Sequence, residues 1–341
     1  MDKDSFNHHT KITAPELATL WSQYMNDSLS RCILRYFVHH VKDENIKDVL
    51  IYALDLSERH LQKVKVFLTE EKYPIPIGFT DEDVNLEAPP LFTDTFMIIY
   101  IHIMSIHGLT RYAGAMGNAI REDQRQYMMQ VIGETLKLVD RASNVLLNKG
   151  ILSKPPVFNN HQSVDFLEEK KYLTGWLGKR RPISAVEISG TYMNMQKTMA
   201  KIVLELGFSQ VAQSKEVRKY MERSRHLCHK HFEILSSMLE EDNLNIPKTL
   251  ETEVTDSTVP PFSDKLIMTH IAALLSSAIG YYGEALSMCQ RRDLSASYAR
   301  MIAEMGVLAE DGINLLIKNE WMEQPPIATD HEELAKRHKT G

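Results

Sequence analysis

The stretch Thr13-Ala14-Pro15-Glu16-Leu17 returns as Ser184-Ala185-Val186-Glu187-Ile188, a shift of 171 (184 − 13). His60 returns as His231 and Pro76 as Pro247 at the same shift. The shift then drops by one and holds. Asp94 returns as Asp264, Glu134 as Glu304, Asn144 as Asn314 and Pro155-Pro156 as Pro325-Pro326. A single-residue indel therefore relates two halves, each long enough to bury a core of its own. The expected organisation is a first bundle over 10–160, a linker over 161–179, a second bundle over 180–330 and a polar tail over 331–341.

Helical periodicity fills each half. Leu17, Leu20, Trp21, Tyr24, Ser28, Cys32 and Tyr36 share one helix face. A second helix carries Ile46, Val49, Leu50, Ala53, His60, Val64 and Phe67, a third runs from about Asp94 to Gly117, and a fourth carries Tyr127, Val131, Leu138, Ala142 and Val145. The second half repeats the set over about 184–212, 214–241, 264–289 and 293–318. No segment alternates at period two, so strands are not expected. Thr13-x-x-Glu16 and Ser184-x-x-Glu187 read as capping boxes, and Asp43, Thr93, Ser214 and Ser263 as N-caps. Helices two and three are separated by the Pro- and acid-rich residues 72–93, whereas the other joints are a few residues long. Short, long, short is the connection pattern of a ferritin-like bundle with one crossover. The fold class is all-α: two tandem ferritin-like four-helix bundles related by internal duplication. Helix three is apolar nearly all round at Phe96-Met97-Ile98-Ile99-Tyr100-Ile101 and Ile271-Ala272-Ala273-Leu274-Leu275. A helix apolar on every side is covered on every side. Helix three is therefore expected to pack on the other half or, in a homodimer, on a second chain.

Composition narrows the function classes. The 341 residues carry a formal net charge of −6 with no basic block, so neither nucleic acid nor an anionic membrane has an electrostatic footprint. Cys32, Cys228 and Cys289 are odd in number and irregular in spacing, which fits a reducing cytoplasm better than a disulfide framework. The N-terminus, Met1-Asp2-Lys3-Asp4-Ser5, lacks the apolar stretch of a signal peptide. The longest apolar runs, 96–104 and 266–280, fall short of the roughly 20 residues of a membrane-spanning helix.

Ferritin-like bundles often hold two metals on Glu and Glu-x-x-His positions. Here helix two offers Glu58-Arg59-His60, helix four offers Glu134-x-x-Lys137 and Glu304-x-x-Val307, and neither 121–150 nor 290–320 contains a histidine. The di-iron motif is absent from both halves. His60 and His231 nevertheless lie on apolar stripes, where a buried imidazole needs a partner. At about 1.5 Å per residue, Glu134 and Glu304 come to the same depth in their bundles. The structural reading is a buried His–Glu pair that sets helix register. The functional reading is a site for one divalent metal per bundle, on His60 and Glu134 and on His231 and Glu304, completed by other groups. The Glu222-His226-His229-Glu233 stripe is not duplicated and reads as a solvated face, His107 meets Ser277 at its repeat position, and Cys228 reads as an inert buried thiol. His8-His9 read as tail residues. No phosphate-cradling loop or Gly-x-Ser-x-Gly elbow occurs.

Gly207-Phe208-Ser209-Gln210-Val211-Ala212, Pro74-Ile75-Pro76-Ile77-Gly78-Phe79-Thr80, Val254-Thr255-Asp256-Ser257, Pro261-Phe262-Ser263-Asp264-Lys265 and Trp321-Met322-Glu323-Gln324-Pro325-Pro326 together resemble a family of unknown function from endospore-forming bacteria. The resemblance covers about 11–330. It implies a tandem ferritin-like fold, a distant likeness to spore coat protein F, a cytoplasmic or spore setting with spore components as partners, and no established catalytic residue. The expected function is that of a non-catalytic structural or binding protein. A metal-dependent oxidoreductase and a carrier of a small apolar ligand, held in a dry cavity within one bundle, are the alternatives.

Overall fold

The computed structural model describes residues 10–158, 166–167, 169–176 and 180–337. His8-His9, Met1–Ser5, much of the expected linker and the end of the tail lie outside the described residues. Eight long helices form two sets of four: α1 (Ala14–His40), α2 (Glu44–Glu70), α3 (Asp94–Asn118) and α4 (Glu122–Asn148), then α5 (Ala185–Val211), α6 (Lys215–Glu240), α7 (Asp264–Met288) and α8 (Arg292–Lys318). A short ninth helix, α9 (His331–Arg337), lies in the expected tail, and Lys170–Leu173 form a 3-10 turn in the expected linker.

The caps read from the sequence are in place. Thr13 and Ser184 close capping boxes with Glu16 and Glu187, and the side chains of Asp43, Thr93, Ser214 and Ser263 accept backbone N–H groups of the helices they start. The helix-four starts, Arg121 and Arg291, have no side-chain cap of their own. Glu16 supplies it from across the bundle: Oε1 accepts the N–H groups of Ile120 and Arg121 at 2.9 and 2.8 Å. Glu187 treats Gln290 and Arg291 identically, at 3.0 Å each. Each glutamate thus caps one helix with one oxygen and fastens a second helix to it with the other. Asp94 and Asp264 likewise reach back to the N–H groups that open α2 and α6.

The two long crossovers pair with each other about a pseudo-two-fold axis. Asn85 N–H donates to Pro261 O and Thr255 N–H to Leu91 O; Ser263 N–H donates to Asp83 O and Thr93 N–H to Glu253 O. Each pair of bonds is one interaction seen from both copies, as in an isologous interface. Val84–Phe262 and Phe92–Val254 form the isolated antiparallel bridges of this ladder. Gly78 adds a third fastening. Its φ of +63° suits glycine, its N–H donates to Glu323 and its carbonyl accepts from Lys265.

The apolar run of α3, Phe96 to Ile101, is buried throughout and faces the other half: α3 packs on α5, and Tyr100 Oη lies 3.3 Å from His270 Nε2 of α7. One apolar core runs through both halves. The most enclosed helix is α5 rather than helix three of either half, because α3, α6 and α7 all pack around it. By length and composition α7 could cross a membrane, contrary to the count of uninterrupted apolar residues. Half of its apolar window is buried inside the protein. The polar residues that interrupt the run, such as His270 and Ser276, shorten it without making the whole helix polar.

Candidate functional site

The structure brings the duplicated histidines and glutamates together. His60 Nε2 lies 3.2 Å from Glu134 Oε2, and His231 Nε2 lies 2.8 Å from Glu304 Oε2. The residue before each histidine takes the other carboxylate oxygen: Arg59 holds Glu134 at 2.7 Å and Lys230 holds Glu304 at 2.6 Å. Arg59 and Lys230 are repeat partners (230 − 59 = 171), so this second contact is also written in the duplication. Burial holds both imidazoles below their ordinary value despite the carboxylates, His231 at about 4. The rings are therefore neutral, with the Nε2 proton donated to the glutamate and Nδ1 left as an acceptor.

What faces Nδ1 differs between the halves. In the second, Tyr282 Oη lies 3.4 Å from His231 Nδ1 and 3.3 Å from Thr198 Oγ1. In the first, the equivalent Tyr112 packs edge-on against His60, and Asp27, the counterpart of Thr198, places Oδ2 3.7 Å from His60 Nδ1. The two carboxylates near His60 thus approach opposite nitrogens of one ring, an arrangement in which they do not converge on a common point. Among the described residues no group of three or more His, Cys, Asp or Glu side chains could hold a metal. The unduplicated stripe separates: His226 Nδ1 contacts the Glu222 carbonyl, whereas His229 pairs with Glu251 of the crossover at 3.0 Å. Cys228 is fully buried, and burial with Glu205 alongside pushes its thiol up.

A cleft that the sequence did not disclose opens between α1, α3 and α7. It measures about 450 Å³, and Tyr100, Met104, Ala115, Ala273 and Leu274 give it largely apolar walls. It lies between the halves, not inside one bundle, and it is not dry-walled: Gln23, Asp27, His107 and His270 also line it. Its pseudo-symmetric counterpart, between α5, α7 and α3, measures about 20 Å³. The difference is side-chain volume. Ser22, Asn26, Ser30, Ala273 and Ser277 stand where the other copy has Met193, Lys197, Lys201, Ile103 and His107. Lys197 lies over the Tyr281 ring and fills that second space, and α5 seats on α3, whereas α1 makes no comparably close approach to α7.

The polar layer also divides the first half's core. Leu17, Leu20, Tyr24, Leu61, Val64, Phe67 and their neighbours form a separate apolar cluster beyond Gln23, Asp27 and His60. The second half has no such division.

Fold and site together define a duplicated all-α helical protein whose halves are locked by paired crossovers and whose buried His–Glu pairs recur in both copies. The chain belongs to the family described as protein of unknown function (DUF3231), whose model matches it twice, over residues 2–164 and 171–334. A solved structure of a "putative spore coat protein" from Bacillus halodurans is similar at 20% identity and a TM-score of 0.41, covering 44% of this chain and 98% of that one. No curated protein matches the chain.

Proposed function

We propose that this protein is a non-catalytic binding protein, a carrier whose small, largely apolar ligand sits between its two halves. The observation that carries this reading is the cleft of about 450 Å³ between α1, α3 and α7, opposite a counterpart that side chains have filled. Ligand sites commonly have roughly 300–1,000 Å³ and apolar walls with a few convergent polar groups. The His60–Glu134 and His231–Glu304 pairs act as register devices in buried helix faces. A bound metal usually takes three or four protein donors. Each pair supplies two, with the free carboxylate oxygen already held by Arg59 or Lys230. The setting in a spore-forming bacterium, in its cytoplasm or spore, follows from the sequence resemblance.

The test is titration with Nile red, a neutral apolar dye. One site per chain is expected, lost in the double variant Ala273→Ile, Ser277→His, which installs the side chains the other copy carries. Absent binding, or binding unchanged in a folded double variant, overturns the reading. Metal analysis of untagged protein tests the alternative. Stoichiometric iron, manganese or zinc lost on His60→Ala and His231→Ala would favour a metal site.

A further inference from the structure

The cleft is graded along its length. Tyr100, Met104, His107 and Arg111 follow the three-four spacing of one face of α3, and all of them line it. At about 1.5 Å per residue, the step from Tyr100 to Arg111 spans about 16 Å. The Tyr100 end is buried and the Arg111 end exposed. Most polar groups of the wall are already spent. Gln23 is hydrogen-bonded to Asp27, Tyr112 and Tyr127. Thr19, Asn26 and Ser277 turn their donors back onto the carbonyls of Pro15, Ser22 and Ala273, four residues earlier on their own helices. Arg111 is different. Its Nη2 donates to Ser277 Oγ at 3.2 Å, and among the described residues no carboxylate pairs with it. A guanidinium carries five N–H groups, so most of the fork is free to take a ligand. At the same repeat position the closed seam has Tyr281 (281 − 111 = 170).

Resting on the carrier reading above, we propose that the ligand is a monocarboxylate with an apolar tail, a fatty-acid anion, its tail along Met104, Ala273 and Leu274 and its carboxylate on the Arg111 fork at the rim. Charge and length select this class. Arg111 is the lasting charge of the cleft, since burial pushes the Asp27 carboxyl well above the usual carboxylate range and holds His107 and His270 neutral, both at about 3. A cationic amphiphile meets repulsion there, and a neutral one leaves the fork to water. A carboxylate matches one guanidinium in charge and accepts two of its N–H groups side by side. A phosphate monoester carries close to two charges and leaves one of them unbalanced. The span from Tyr100 to Arg111 is comparable with an extended dodecanoate.

The test is displacement of bound Nile red by dodecanoate, dodecan-1-ol, dodecyl phosphate and dodecyltrimethylammonium, each below its micelle concentration. Arg111→Gln is expected to raise the dodecanoate concentration needed by about fivefold, the upper end for a solvent-exposed ion pair, and to leave dodecan-1-ol and the dye unchanged. Arg111 is exposed and touches Ser277, so the variant keeps the fold, and unchanged dye binding certifies it. Arg111→Lys, which keeps the charge, is expected to lose less. Dodecanoate displacement indifferent to Arg111→Gln, or an equal loss for dye, alcohol and carboxylate, overturns the inference. So does stronger displacement of the dye from the parent protein by dodecyltrimethylammonium. Stronger displacement by dodecyl phosphate assigns the rim to a phosphate and likewise overturns the carboxylate. All of these leave the carrier reading intact, whereas failure of Nile red itself to bind the parent protein overturns both.

Discussion

Lys197 of α5 lies over the aromatic ring of Tyr281 on α7 and, with it, fills the space between the two halves on one side of the pseudo-two-fold axis. On the other side the equivalent residues are Asn26 and Arg111, and the space is open. Two copies of one design thus differ by a few side-chain volumes, and that difference makes one interface a packed seam and the other a cleft.

Burial holds the Lys197 amine down at about 7. An unfolded lysine titrates near 10.4. Between those values the unfolded chain binds the extra proton, so stability rises with pH across about 7 to 10.4. Below pH 7 the protein carries the full cost of a buried ammonium. Lys197→Met keeps most of the volume and removes the charge. The variant is expected to unfold at a higher temperature than the parent at pH 7, with the gain shrinking toward pH 10. Thermal unfolding at three pH values checks this, and a variant less stable at pH 7 contradicts it.

Glu187 accepts hydrogen bonds from Ser184, Arg181, Gln290 and Arg291. Burial raises its carboxyl, these donors outweigh burial, and the balance leaves it at about 2. Its stabilisation is complete above the unfolded value near 4.3 and is lost as pH falls toward 2. Glu187→Gln is expected to cost on the order of 3 kcal/mol at pH 7, well above the roughly 1 kcal/mol of an ordinary cap. Urea unfolding at pH 7 and pH 3 measures it, and the penalty should be smaller at the lower pH.

His231 is fully buried and bonded to Glu304 and Tyr282. His231→Ala is expected to cost about 2–4 kcal/mol from the cavity and the lost partners. The native ring titrates at about 4 and an unfolded one near 6.5. The parent therefore loses stability as pH falls from about 6.5 to 4, and the variant should lose less over that window. Parallel slopes would show that His231 is not the group responsible.

A Cβ on Gly207 of α5 would come within 2.7 and 2.8 Å of the Phe92 ring on the first crossover. Gly207→Ala gains helix propensity of about 1 kcal/mol and incurs overpacking of about 1–3 kcal/mol. A net loss of stability is expected, relieved when Phe92→Leu is added. A double-mutant cycle checks it, and additive effects would mean the two residues do not meet.

Much of the architecture was legible because it is local or periodic. Thr13, Asp43, Thr93, Ser184, Ser214 and Ser263 cap helices through contacts two or three residues away, and such contacts are written in short strings of sequence. The approach of His60 to Glu134 followed from helix rise and connection length alone. The crossover ladder was not legible. Its partners are about 170 residues apart, and the isolated bridges leave no alternating pattern. The second task of Glu16 and Glu187, holding the start of helix four, was hidden behind their capping role. Gln23 and Asp27 sit among polar neighbours on α1 and carry no mark of burial in the sequence.

The sequence by itself determined the duplication, the all-α class, the helix limits and the depth at which each His meets its Glu, because periodicity, capping and chain reach act along the chain. Only the tertiary structure decided that the halves share one core through their crossovers, and that one of two equivalent seams is filled and the other open. Whether a space between three helices closes depends on the summed volume of side chains from all three. Asn26 against Lys197, Ala273 against Ile103 and Ser277 against His107 acquire that meaning only once the helices are side by side.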